Sequence, residues 1–341
     1  MKTARCLLMV SLILLATFLS ASAFFTDNVS ANVQSFANEQ IDINEEPYNI
    51  LLLGEDESGK LDDVIMIVSC DTKSKRINVL QIPRDTYAEY TLSSYRKINA
   101  ASDVLDGSEN LSAFLTENLG IPIDGCISID IDIIAETVDI LGGVEIDVPM
   151  DMMYKDPYQD LIIEIKKGKQ ILSGDKAKQF VRYREGYIRG DLGRLDAQKL
   201  FMTAFLKKIA EKNDVVTLVQ LASTIIPKTE SNISLKEIID LIGKMGIPDI
   251  SNINFMTLPG GDIRGGSGAW YYIMNRKSAY KIIKEHFNND LSEADFDKNR
   301  KFTSTVRVGF NDIYDAQNGF EPQIFSADEI SGELEIESKY D

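Results

Sequence analysis

Apolar and polar positions along this chain fall into two rhythms: short unbroken apolar runs, and longer stretches with helical spacing. Tyr48–Leu53 (YNILLL), Asp63–Cys70 (DVIMIVSC) and Arg76–Ile82 (RINVLQI) are runs of strand length. The first leads into Gly54-Glu55-Asp56 and the third stops at Pro83. The first two, unbroken, predict buried strands, and the third, which alternates, predicts a further strand. Lys73-Ser74-Lys75 suits a turn that joins the second and third runs as an antiparallel hairpin. Ile127–Ile131, Val144–Val148, Leu161–Ile165 and Asn254–Leu258 predict further strands, with Asp151–Asp160 irregular. Helices are predicted over Lys97–Asp106, Ser108–Leu119, Asp132–Leu141, Ser173–Tyr183, Leu195–Glu211, Val215–Ile226 and Leu235–Met245. Ser108 and Ser173 supply N-caps, and Gly142-Gly143 supplies a stop. Leu195–Glu211 is the clearest, with Leu195, Phe201, Phe205 and Ile209 broadly on one side. Interleaved strands and helices that include a hairpin predict an α/β three-layer sandwich, a central mixed β-sheet flanked by helices. The glycine-rich Pro259–Gly268 reads as a loop, and it lacks the Gly-Lys-Ser/Thr ending of a P-loop.

The first residues change the setting. Lys2 and Arg5 precede an apolar run from Cys6 to Phe25, which predicts export with the basic end left inside. Ala21-Ser22-Ala23 resembles a signal-peptidase site, while about 20 apolar residues also suffice to cross a bilayer. Residues 1–25 therefore read as a signal peptide or as an N-terminal transmembrane anchor. In either case the rest is expected to be extracytoplasmic, on the outer face of the cell membrane or secreted. Residues 26–47 read as a polar linker, 48–290 as the domain, and 291–341 as a polar acidic tail, partly disordered.

Charge narrows the partners. A net charge of -17 over 341 residues argues against nucleic acid as a partner, so any anion must be met by a focused site. Of the three cysteines, Cys6 lies in the apolar run. Cys70 and Cys126 sit in strand segments, where a disulfide and two buried thiols are both open. His286, the sole histidine, reads as a residue at a helix C-terminus. That leaves carboxylates, arginines and a hard metal ion as the available chemistry.

The focus is Arg182–Gln198, RYREGYIRGDLGRLDAQ, with Arg182, Arg184, Arg189 and Arg194 offset locally by Glu185 and Asp191. Guanidinium forks grip phosphate oxygens in pairs. Upstream, Arg84 in QIPRD follows a strand end, where open α/β sheets carry ligand residues. Asp56 and Asp63 flank a strand end and a strand start, with the oxygen chemistry of a hard divalent ion. Asp191 reads equally as a functional carboxylate and as the cap of a helix beginning near Arg194.

Taken in order, NILLLGED, the strand start at Asp63, VLQIPRDTY, KINAA at Lys97–Ala101, LGGVEIDVP at Leu141–Pro149 and the Arg182–Gln198 block resemble the LytR-CpsA-Psr family. That family transfers glycopolymers to the Gram-positive cell wall, and the likeness spans roughly residues 48–210. The resemblance implies a phosphotransferase that takes a glycopolymer from a polyprenyl-pyrophosphate-linked glycan to a peptidoglycan hydroxyl, with Mg2+ as cofactor and the lipid tail in an apolar tunnel. Matching positions imply Asp56 and Asp63 as metal ligands. They imply Arg84, Arg182, Arg184, Arg194 and Gln198 as pyrophosphate contacts, with Arg84, Asp191 and Arg194 catalytic. Asp191 would either accept the acceptor's proton or orient Arg194. The chain departs from the family pattern at Ser58, at Leu61-Asp62-Asp63-Val64 and at Ala197, positions where arginines are usual and where Asp62 adds an acid. Arg96, Lys97 and Arg189 are candidates to compensate. The alternatives are a non-catalytic polyprenyl-phosphate-binding module and a lipid pyrophosphate hydrolase.

Overall fold

A seven-stranded mixed sheet runs through the middle of the computed structural model. The structure describes residues 47–55, 61–89, 96–157, 161–212, 225, 228–245, 249–264, 268–287, 291–298, 305–307, 313–315, 324–327, 329–330 and 336–339. Strands β1 (Tyr48–Glu55), β2 (Asp62–Asp71) and β3 (Arg76–Ile82) form an antiparallel meander, and β4 (Gly125–Ile129) adds parallel to β1. Between them, after a 3-10 turn and one helical turn over residues 98–104, runs helix α1 (Ser108–Leu119). Helix α2 (Ile131–Ile140) follows β4 directly, its Asp132 N–H donating to the Asp130 cap at 3.0 Å.

Two small antiparallel pairs come next. β5 (Val144–Val148) pairs with β8 (Gly168–Leu172), and β6 (Met152–Asp156) pairs with β7 (Leu161–Ile165). Helices α3 (Gly174–Arg182) and α4 (Asp191–Lys212) carry the arginine block. The chain then supplies β9 (Glu230–Ser231), helix α5 (Leu235–Met245), β10 (Ile253–Thr257), the hairpin β11 (Gly260–Arg264) with β12 (Trp270–Met274), and helix α6 (Arg276–His286). A short helix α7 (Glu293–Lys298), the pair β13 (Thr305–Arg307) with β14 (Ile313–Asp315), and β15 (Ile324–Ser326) complete the order.

The strand order is β15-β10-β3-β2-β1-β4-β9. β1, β3, β4 and β10 point one way, while β2, β9 and β15 run against them. The unbroken apolar runs are explained by the two cores. Ile50, Leu52, Met66, Val68 and Val79 face a core shared with α2, α3 and α4. Leu51, Leu53, Ile65, Ile67 and Leu80 face a second core shared with α1 and α6. Each fully buried aliphatic side chain contributes about 1.5–3 kcal/mol, so four consecutive ones in Ile50–Leu53, none more than 1% exposed, make β1 the centre of both cores. The expected three-layer α/β sandwich is the observed one.

Several local expectations change. The Lys97–Asp106 segment is broken: Lys97 bridges to Tyr87, and only short turns follow. Pro259–Gly268 is not a simple loop, because Gly260–Arg264 pairs with Trp270–Met274. Glycine is needed at 260, where a Cβ would sit 2.2 Å from the Ile273 carbonyl, and two adjacent glycines mask a strand's pattern. The irregular Asp151–Asp160 contains β6. Most of the Val215–Ile226 helix lies outside the described residues, as do residues 1–46. Cys70 and Cys126 are separate buried thiols. The segment expected to be a tail is partly built into the domain. β15 pairs with β10, and Phe296 and Ile330 are buried. The 336–339 stretch also pairs with the arginine loop: Tyr187 bridges Ser338, and the Lys339 N–H donates to the Gly186 carbonyl at 2.8 Å.

Candidate active site

The same-direction strands β1, β3, β4 and β10 bring their carboxyl ends to one edge of the sheet. Chain leaving that edge carries Arg84, Asp130 and Leu258, and β2 starts there. A β-bulge shapes this start. Gly54 pairs with Val64 but Glu55 pairs with Asp62, so Asp63 is the extra residue. Regular alternation would send Asp63 to the core that Ile65 enters. The bulge reverses the two acids. Asp62 is buried and accepts from the Ser102 hydroxyl at 2.5 Å, while Asp63 turns to the arginines. The added acid therefore does not subtract from the positive cluster.

Helix α3 ends at Arg182 because Tyr183 is extended. The loop then reverses through Gly190, whose φ of 56° is left-handed, and α4 starts at Asp191. The helix thus begins at Asp191 itself rather than near Arg194. Gly193 is required next: a Cβ there would lie 2.5 Å from the Cβ of buried Tyr187. These elements close a ring of charges. Arg84 Nη1 donates to Asp63 Oδ1 at 2.6 Å, and Arg84 Nε lies 3.4 Å from Asp191 Oδ1. Arg194 Nη2 lies 2.9 Å from Asp191 Oδ1 and donates to the Asp63 carbonyl at 3.2 Å. Asp191 Oδ1 meets both guanidiniums at ion-pair distance, while Asp191 Oδ2 and Arg194 Nε are buried without hydrogen-bond partners among the described residues. These are polar groups arranged for something beyond their own pairing.

The electrostatics follow from burial and neighbours. Burial pushes Asp191 up, but the guanidiniums of Arg194, Arg84 and Arg184 outweigh it and hold the carboxyl below its ordinary range. Arg84 loses by burial and gains more from Asp191, Asp63 and Asp85, so it is held firmly charged. Burial draws Arg194 and Arg182 down, with Asp191 and Asp63 opposing at Arg194, and Asp63 and Asp132 at Arg182. Arg184 is exposed at the rim. Four guanidiniums thus face two carboxylates at the N-terminus of a 22-residue helix, whose dipole adds to an anion's welcome.

Gln198, expected as a direct phosphate contact, is fully buried and donates to the Val181 carbonyl at 3.3 Å, behind Arg182. Lys97 is held by Asp85 at 2.7 Å, and Arg189 by Asp196 at 2.9 Å. Ala197 is enclosed in the first core. Asp262, hidden in the glycine-rich segment, also reaches this edge. Enclosure by neighbouring chain and the charges of Asp191 and Asp85, with Arg189 opposing, raise it to about 6 although it reaches solvent. Its only signal in the sequence was an acid between glycines.

Asp56 lies outside the described residues. Among the described residues no group of three His, Cys, Asp or Glu side chains is placed to hold a metal ion. Magnesium needs only one or two carboxylates when phosphate oxygens and water complete its shell. Asp63, a hard-oxygen donor 13% exposed at the edge of the ring, fits that demand.

A sequence model of the LytR_cpsA_psr family matches residues 15–288. This chain belongs to the LytR-CpsA-Psr family. It is similar to the polyisoprenyl-teichoic acid–peptidoglycan teichoic acid transferase TagV of Bacillus subtilis (strain 168), 30% identical over 271 residues, which cover 75% of this chain and 69% of that protein. It is also 30% identical over 233 residues to TagU of Bacillus anthracis, covering 67% of this chain and 74% of that protein, which bears the same transferase description. The crystal structure of B. subtilis TagV superposes with a TM-score of 0.61 at 26% identity, covering 73% of this chain and 100% of that one. B. subtilis TagT bound to LIIa-WTA shares the fold, with a TM-score of 0.56 at 23% identity over 74% of this chain and 94% of that one. At family level this LytR-CpsA-Psr protein is a transferase.

Proposed function

We propose that this LytR-CpsA-Psr protein moves a glycopolymer from a polyprenyl-pyrophosphate carrier to a peptidoglycan hydroxyl, at the outer face of the membrane. The observation that supports it is the Asp63–Arg84–Asp191–Arg194 ring, flanked by Arg182 and Arg184, on a chain otherwise strongly acidic. The acceptor oxygen bonds to the glycan-bearing phosphorus as the bond from that phosphorus to the bridging oxygen breaks. Polyprenyl phosphate leaves with the electron pair, and the hydroxyl proton passes to solvent or a nearby base. Such a displacement needs charge neutralisation and alignment more than covalent help. Arg84 and Arg194 stabilise the leaving phosphate, while Arg182 and Arg184 bind the pyrophosphate. Asp191, its proton affinity lowered by three arginines, is a poor base and a good clamp, so its role is to orient Arg84 and Arg194. Asp63, with Asp56 as the second expected ligand, would hold magnesium, which when bound neutralises the pyrophosphate oxygens.

The test follows release of polyprenyl phosphate from a short-chain donor, with and without magnesium and acceptor. Arg84→Ala and Arg182→Ala should each lower turnover by roughly 100-fold or more, the scale for losing one preorganised charge donor. No turnover of any such donor by folded protein would overturn the proposal. A binding-only reading draws on Ala197, which sits in apolar core where the family carries arginine. Binding without release, surviving metal removal and Asp63→Ala, would favour that reading.

A further inference from the structure

The β11–β12 hairpin projects a face that the transfer site leaves unused. Asp262 pairs with Tyr272 and Arg264 with Trp270, and directly opposed residues share one face of a hairpin. Tyr272 anchors this face to the site: it packs on Leu192 and Leu195 of α4, and its N–H donates to the Asp85 carbonyl at 2.8 Å. Two residues outward along the strand, about 7 Å, stands Trp270, the sole tryptophan of the chain and 55% exposed. The Arg264 guanidinium lies 5.9 Å from its ring centre. Asp262 stands between Trp270 and the arginine ring, within electrostatic reach of Asp191, Asp85 and Arg189.

An exposed indole beside an arginine fork and a carboxylate offers an apolar plate with a donor and an acceptor at its edge. A pyranose ring presents the matching pair, a C–H face and a rim of hydroxyls. A polyphosphate suits this face poorly, because Asp262 sets a carboxylate on it. Its place is across the ring, on the guanidiniums.

We propose that the exposed end of the β11–β12 hairpin, beyond buried Tyr272, is the acceptor subsite, where a β-linked amino-sugar strand lies with one ring on Trp270, its polar groups on Arg264 and Asp262, and a hydroxyl presented to the arginine ring. This rests on the transfer reading above. It gives the hairpin a direction: sugar enters over Trp270 and reacts beyond Tyr272.

The lone tryptophan makes a direct test. The full chain in detergent is titrated with a β-1,4-linked N-acetylglucosamine tetramer while indole fluorescence is followed. A saturable change is expected, its midpoint weakened by about tenfold in Arg264→Ala and in Asp262→Asn. In steady-state transfer, Trp270→Ala should raise the acceptor KM by roughly three- to tenfold, the scale of one aromatic contact. The donor KM and the acceptor-free cleavage of donor should stay unchanged, and Trp270→Phe should restore most of the loss. An unaltered acceptor KM in Trp270→Ala, with donor still consumed, overturns the subsite and leaves the transfer reading standing. If the wild-type chain consumes no donor, the transfer reading falls, and an absent fluorescence change then overturns saccharide binding as well.

Discussion

Lys199 is a cation with almost no solvent, and Lys199→Met isolates what its burial is worth. Its side chain is 1% exposed, and Nζ lies 3.0 Å from Asp196 Oδ1 and 2.8 Å from Thr257 Oγ1 of β10. Nζ also lies 5.9 Å from the Phe325 ring centre of β15. Asp196, 6% exposed, has its other oxygen on the half-exposed Arg189 at 2.9 Å. Methionine keeps much of the stem's volume and removes the charge, leaving Asp196 with one partner. Breaking a buried pair costs about 3–5 kcal/mol. Arg189 remains, so the lower end applies, near 3 kcal/mol, or a fall in Tm of roughly 6–12 °C for a domain of this size. The double variant Asp196→Asn/Lys199→Met carries no stranded charge and should recover about 2 kcal/mol of the summed single losses. Urea unfolding of the chain from Gln40 onward, followed by circular dichroism, measures all three. A single loss below about 1 kcal/mol, or additivity within about 0.5 kcal/mol, refutes the reasoning.

Three further outcomes follow from the geometry. Folding raises Asp262 from 3.8 to about 6, so the folded chain binds the extra proton and stability falls as pH rises through that window. Asp262→Asn should therefore stabilise the chain at pH 7 and match the parent below pH 4, and superimposable Tm profiles would remove the basis for this. Gly193→Ala drives a Cβ to 2.5 Å from Tyr187, which stacks edge-on with Tyr183 at 5.4 Å. The overpacking should cost about 1–3 kcal/mol in urea unfolding and raise the donor KM through displaced Arg194. Cys70 and Cys126, both buried free thiols, should resist a thiol reagent in the folded chain from Gln40 and react only on unfolding. Mobility that changes on reduction would contradict this.

The architecture was legible because β1 and β2 are nearly unbroken apolar runs and β3 alternates, and Arg84, Arg182, Arg184 and Arg194 stood out against an acidic chain. Their convergence was less so. The bulge that turns Asp63 outward and Asp62 inward depends on pairing register, which adjacent aspartates do not reveal. β11 was hidden because Gly260 and Gly261 carry no side chain to show alternation, so Asp262 went unnoticed with it. Gln198 looked like a ligand by position, yet its amide bonds to the backbone behind Arg182. Buried Lys199 was invisible, since a lysine on a helix is normally a solvated one.

The pairing of residues 336–339 with the arginine loop carries a consequence for a shortened chain. Lys339 Nζ donates to the Glu185 carbonyl at 2.8 Å from 154 residues away, and the Ile188 N–H donates to the Glu337 carbonyl at 3.2 Å. A chain cut short before β15 would keep every arginine and lose these backbone partners of the loop. Trimming residues 336–339 as dispensable polar chain would therefore loosen the site while leaving its charges in place.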